Sequence, residues 1–109
     1  MNKTRRNELA KIQEEIKSIN EDADALKEKV EELKDKIEAV RDEEESRYDN
    51  LPESLQESEK GERMQTAMDA MDNAMSDLDD AYNSIESYMS EIEESLDNAV
   101  ENLQEAIDA

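Results

Sequence analysis

The chain has 109 residues, 33 acidic against 13 basic side chains, a net charge of −20, 3% aromatic residues and neither cysteine nor histidine. That is one domain's worth of material; it excludes disulfides, thiolate metal sites and imidazole acid–base chemistry near neutral pH, and its charge repels nucleic acid and anionic lipid. No run approaches the ~18 apolar residues of a membrane helix, and no apolar core follows the basic segment Met1–Lys11 as it would in a secretory signal.

Such a charge level ordinarily marks disorder, but here the apolar residues fall on regular stripes. Helix 1 is predicted over about residues 4–47, with Thr4 as N-cap. Its apolar series steps by three and four: Leu9, Ile16, Ala23, Val30 and Ile37 at position a of a heptad, Ile12, Ile19, Leu26, Leu33 and Val40 at position d. Lys27, Lys34 and Arg41 stand at e, Lys29 and Lys36 at g. A parallel homodimer of this helix sets like charges together, which disfavours it.

The segment 48–61 is predicted as a loop or short helical turn. Pro52 breaks the helix, Asn50 suits a turn, and Ser54 with Glu57 matches a capping box. Tyr48, Leu51 and Leu55 are expected to plug the end of a hairpin.

Helix 2 is predicted over about residues 62–108. Met64, Met68, Met71, Met75, Leu78, Tyr82, Ile85, Met89, Ile92 and Leu96 continue the steps of four and three and are the expected helix-packing and oligomer residues. From Met64 to Ala109 there are 13 acids in 46 residues and no Lys or Arg. Asp72, Asp79, Glu86 and Glu93 take its e positions and complement helix 1. Folding back antiparallel pairs Lys34 with Asp72 and Lys27 with Asp79. It also stacks Ile37 on Met71, Val30 on Leu78, Ala23 on Ile85 and Ile16 on Ile92, with Ala23 beside bulky Tyr82. The basic start of helix 1 and the acidic end of helix 2 offset each other in that arrangement. The expected fold is therefore all-α and elongated: one antiparallel helical-hairpin (coiled-coil) domain over residues 1–109. Ala67, Ala74, Ala81, Tyr88 and Ser95 at g widen the stripe of helix 2 beyond what one helix covers. Hairpins are thus expected to dimerise into a four-helix bundle, with an open groove for a partner's helix as the alternative.

The stretch Tyr48-Asp49-Asn50-Leu51-Pro52-Glu53-Ser54-Leu55-Gln56-Glu57-Ser58-Glu59, between the acidic run Asp42–Glu45 and a helix rich in Ala, Leu and acids, resembles small acidic helical proteins of bacteriophages and prophages. The likeness covers roughly Asp42 to the C-terminus and is specific at the loop. The chain departs from that group in its many methionines, where the group has more Leu and Ala. The resemblance implies a phage setting and a host cytoplasm.

No catalytic residue, cofactor or metal site is expected. There is no nucleophile–base set and no Gly-rich phosphate loop. The EF-hand spacing and the Glu-x-x-His motifs of di-iron bundles are also missing. The expected function is that of a non-enzymatic, acidic protein-binding module. It acts as a phage-encoded antagonist or inhibitor (anti-defence in type) of a basic, nucleic-acid-handling or defence protein. Partner binding is expected at Asp69, Asp77, Asp80, Glu91, Glu94, Asp97 and Glu101, together with Tyr48, Leu51 and Leu55. A DNA-mimic surface is the sharper form, but 13 carboxylates along a helix rising ~1.5 Å per residue give one charge per ~5 Å, against one per ~1.7 Å in duplex DNA. The alternative is a self-assembling scaffold whose partner is itself. Mild acid is expected to raise the melting temperature by relieving like-charge repulsion.

Overall fold

A computed structural model describes all 109 residues as three helices: α1 (Lys3–Asp49), α2 (Glu53–Gln56) and α3 (Glu59–Asp108). No strand is present, so the fold is all-α, and α1 and α3 run antiparallel as a helical hairpin through the turn that holds α2. The helix starts differ from those read in the sequence. Asn2, not Thr4, caps α1: its Oδ1 accepts from the Arg5 N–H at 2.8 Å and its carbonyl from the Arg6 N–H at 3.1 Å. Both are capping types, but α1 begins at Lys3, so Thr4 already lies inside the helix. The Ser54–Glu57 capping box does not form, because Pro52 opens α2 with no side-chain cap. Ser58 serves α3 instead. Its Oγ accepts from the Gly61 N–H at 3.5 Å, and its carbonyl accepts from the Glu62 N–H at 3.0 Å.

The chain divides into two compact units. The first comprises Lys29–Asn83 and contains the turn. Here α1 presents Val30, Lys34, Ile37, Arg41, Glu44 and Tyr48 as its less exposed residues. These are positions a and e of the heptad, not a and d. On a helix turning ~100° per residue, e lies about 40° to one side of a and d about 60° to the other. Facing α3 with a and e therefore turns d outward, and Leu33 and Val40 are exposed. Two ion pairs accompany this rotation. Lys34 Nζ meets Asp79 Oδ1 at 2.7 Å, and Arg41 Nε meets Asp72 Oδ1 at 2.9 Å. The apolar stems of Lys34 and Arg41 cover the seam while their charged heads pair at its edge.

These two pairs correct the expected register by one heptad. Lys34 lies opposite Asp79 rather than Asp72, and Val30 lines a cleft with Leu78 and Tyr82. Charges repeating every seven residues fit either register equally well, so turn length decides. Both ion pairs centre the reversal between Gln56 and Glu57, where the expected register centred it on Glu53, a shift that the four residues of α2 accommodate.

Met64 and Met68, at 9% and 7% exposure, are the most covered hydrophobic side chains in the molecule. They sit just after Gly61, where α3 passes the end of α2 so closely that a β-carbon on Gly61 would lie 1.9 Å from the Gln56 carbonyl oxygen. This small core lies at the start of α3, next to the turn, where Tyr48 and Leu51 are half-buried as well.

The second unit joins Met1–Glu28 to Ser84–Ala109. Leu9, Gln13, Ile16, Asn20, Ala23 and Lys27 are less exposed, again positions a and e, while Ile12, Ile19 and Leu26 at d are exposed. The buried group is polar. Gln13, 7% exposed, donates from Nε2 to the Val100 carbonyl at 3.0 Å and to Gln104 Oε1 at 3.2 Å, and Gln104 in turn donates to Asp108 at 3.1 Å. Every buried side-chain polar atom has a partner, as burial without one costs more than the bond returns.

Candidate functional site

The acids predicted to bind a partner stand where the helical period puts them, on positions b, c and f of α3. Asp69, Asp77, Asp80, Glu91, Glu94, Asp97 and Glu101 are all exposed, and none makes an ion pair within the chain. Three of them are brought together. Glu94, Asp97 and Glu101, spaced three and four apart on one face, line a shallow depression with Ser90, Glu93 and Asn98. Asp69, Asp77 and Asp80 lie in the other unit. No three carboxylates converge in a way that could hold a metal ion, and no helix is long and apolar enough to cross a membrane.

The cations that could neutralise α3 are engaged at its inner edge. Hydrogen bonding to Asp79 holds the Lys34 ammonium above its ordinary pKa against some desolvation. Hydrogen bonding to Asp72 does the same for the Arg41 guanidinium, which also pairs with Glu45. The stabilisation from the Lys34 pair is therefore fully present below the ordinary lysine pKa and is lost as pH rises through the folded value. The melting temperature should decline above about pH 10, and more steeply than in an Asp79→Asn variant, which has no pair to lose. Equal slopes would refute the pairing. Charge reversal reads the register directly. Lys34→Glu should be rescued by Asp79→Lys and not by Asp72→Lys, as judged by melting temperature.

At the tip, Tyr48 and Leu51 are half-buried and Leu55 is exposed. Tyr48 is tied in twice: its carbonyl accepts from Gln56 Nε2 at 3.0 Å and its hydroxyl from Gln65 Nε2 at 2.9 Å. Of the three tip residues named from the sequence, Leu55 is thus the one most free to meet a partner.

The expected packing residues Met64, Met68, Met71, Met75, Leu78, Tyr82, Ile85, Met89 and Leu96 are buried or half-buried, whereas Ile92 is exposed, as is its neighbour Tyr88. One feature escaped the sequence reading. Every d residue of α1 is exposed: Ile12 43%, Ile19 43%, Leu26 52%, Leu33 47% and Val40 56%. The uncharged polar residues Gln13 and Asn20 at e, which can take a covered place between two helices, were the available signal.

No family model, curated protein or solved structure matches this chain.

Proposed function

We propose that the chain is a non-enzymatic protein-binding module that engages a basic partner through the outer face of α3. The observation that carries this reading is the run of acid from Met64 onward, with 13 carboxylates and no cation, of which Asp72 and Asp79 pair with α1 while the outward members named above are free of ion pairs. A surface of one sign steers an oppositely charged partner and repels the nucleic acid that such a partner would otherwise hold. The resemblance of the central segment to phage and prophage proteins supports a host-cytoplasmic setting. There the partner would be a nucleic-acid-handling or defence protein and the module its antagonist. Full DNA mimicry is less well supported, because the charges along α3 are too sparse.

The test is capture of partners from nuclease-treated bacterial lysate at low and high salt. It compares the natural chain with a Glu94→Gln, Asp97→Asn, Glu101→Gln variant. Surface ion pairing is screened by salt, so one dominant basic protein should be retained at low salt, be lost at high salt, and be weakened by the variant. Retention indifferent to both changes would sink the proposal.

The exposed apolar row of α1 favours a second reading, in which hairpins associate with one another into a four-helix bundle. The two readings use different faces and are compatible.

A further inference from the structure

We propose that α1 is the surface through which two copies of this chain associate. They pack antiparallel along Ile12, Ile19, Leu26, Leu33 and Val40, with Leu26 on the two-fold axis. This inference rests on the second reading above, that the hairpins self-associate, and adds the face, the direction and the register.

The first argument is area. The chain exposes 8094 Å², whereas a compact monomer of 12.5 kDa exposes about 6,200 Å². The excess of about 1,900 Å² is more than twice the ~800 Å² that each partner buries in a standard interface. Five aliphatic side chains at unbroken heptad spacing, each around half exposed, make up a regular part of that excess.

The second argument is charge, and it selects the occupant. The row is bordered on its outer side by the g positions Glu15, Asp22, Lys29 and Lys36. All four are exposed and none forms an ion pair within the chain. Their sign changes once, between Asp22 and Lys29, close beside Leu26. An antiparallel copy centred on Leu26 sets Ile12 on Val40 and Ile19 on Leu33. The same operation places Glu15 beside Lys36 and Asp22 beside Lys29, and symmetry makes each pair twice. Glu8 and Glu43, at the two ends of the row, are the one like-charged meeting. A parallel copy instead sets g against e of the following heptad, which brings Lys29 to Lys34 and Lys36 to Arg41 and leaves Glu15 facing uncharged Asn20, so like charges oppose it over its second half. A generally basic partner fits less well, because it would gain Glu15 and Asp22 but meet Lys29 and Lys36. The e positions on the opposite side of a stay with Asp72 and Asp79, so the dimer leaves the intrachain pairs intact.

Sedimentation equilibrium of the full chain tests this. The natural chain should be a dimer at micromolar concentration, and Leu26→Asp a monomer of unchanged helicity by circular dichroism, because Leu26 is half exposed. Two charge variants read the register. Lys29→Glu with Lys36→Glu makes the g row wholly acidic, and Glu15→Lys with Asp22→Lys makes it wholly basic. Each should dimerise at least about tenfold more weakly by itself, and the two together should form a heterodimer with four complementary pairs. The chain has no cysteine of its own, so Leu26→Cys should give a disulfide-linked dimer under mild oxidation, whereas Ile19→Cys should do so only when mixed with Leu33→Cys. A natural chain that is monomeric overturns both the self-association reading and this interface. A dimer that survives Leu26→Asp leaves self-association standing and overturns this face. Charge variants that homodimerise as tightly as the natural chain, or Ile19→Cys that links readily to itself, overturn the antiparallel register.

Discussion

Replacing Gly61 by alanine is expected to lower the melting temperature by ~10 °C, the reverse of the usual effect of this substitution in a helix. Intrinsic propensity favours alanine over glycine by about 1 kcal/mol in a helix interior. Gly61 has no positive φ that would call for glycine on conformational grounds. The cause is space. The added β-carbon would meet the Gln56 carbonyl oxygen at 1.9 Å, its carbon at 2.5 Å and its Cα at 2.8 Å. These are backbone atoms of the short α2 turn, which Pro52 and the hydrogen bonds of Leu55 and Gln56 to the Pro52 carbonyl hold in place. They cannot swing aside as a side chain would. Overpacking of this kind costs ~1–3 kcal/mol or more, and each kcal/mol lost moves the midpoint by several degrees in a domain of this size. A thermal melt followed by circular dichroism reads the result. Ser76→Ala, at an exposed position of the same helix, serves as the control and should be neutral or slightly stabilising. An unchanged or raised midpoint for Gly61→Ala would show that α2 is not fixed against α3.

Met68→Ala is expected to cost ~2–5 kcal/mol, the range for emptying a covered site of a large aliphatic side chain. In most domains a single such change is one loss among many. Here Met64 and Met68 are the two most covered hydrophobic side chains, so the fraction of total stability at stake is large. Met68→Leu, which keeps the volume, should cost less than about 1.5 kcal/mol. Leu55→Ala, at the same turn but 43% exposed, should cost far less than Met68→Ala. Urea denaturation gives all three values. If Met68→Ala and Leu55→Ala fall together, the pair of methionines is not the core of the turn. The double variant Met64→Ala, Met68→Ala should be less than additive, because residues four apart on one helix share a cavity.

The existence of two long helices and the turn between them was legible because the apolar residues recur at steps of three and four and Pro52 interrupts them. The face that α1 turns to α3 was not. Positions a and d form the apolar stripe in both a two-helix and a four-helix arrangement, and it is the cover over Gln13, Lys34 and Arg41, with d left exposed, that shows e in the inner place. The register was illegible for a related reason, since Lys27, Lys34 and Arg41 repeat at seven-residue intervals against acids that repeat likewise. Of the candidate surfaces, the acids of α3 could be placed from the helical period alone. The exposure of the α1 row could not, because it follows from the rotation. Gly61, the only glycine in the chain, reads in the sequence as an ordinary loop residue. Its role depends on how closely the third helix passes the second, which no local pattern encodes.

The tie between Tyr48 and Gln65 spans 17 residues of sequence, that between Arg41 and Asp72 spans 31, and that between Gln13 and Val100 spans 87. Closing a chain costs more entropy the longer the loop, unless shorter loops inside it have already closed. The order of assembly is thereby built into the hairpin: it zips from the turn outward, each contact made affordable by the one before it. Changes at Gly61 or Met68 would then slow folding, while a change at Gln13, formed late, would chiefly hasten unfolding.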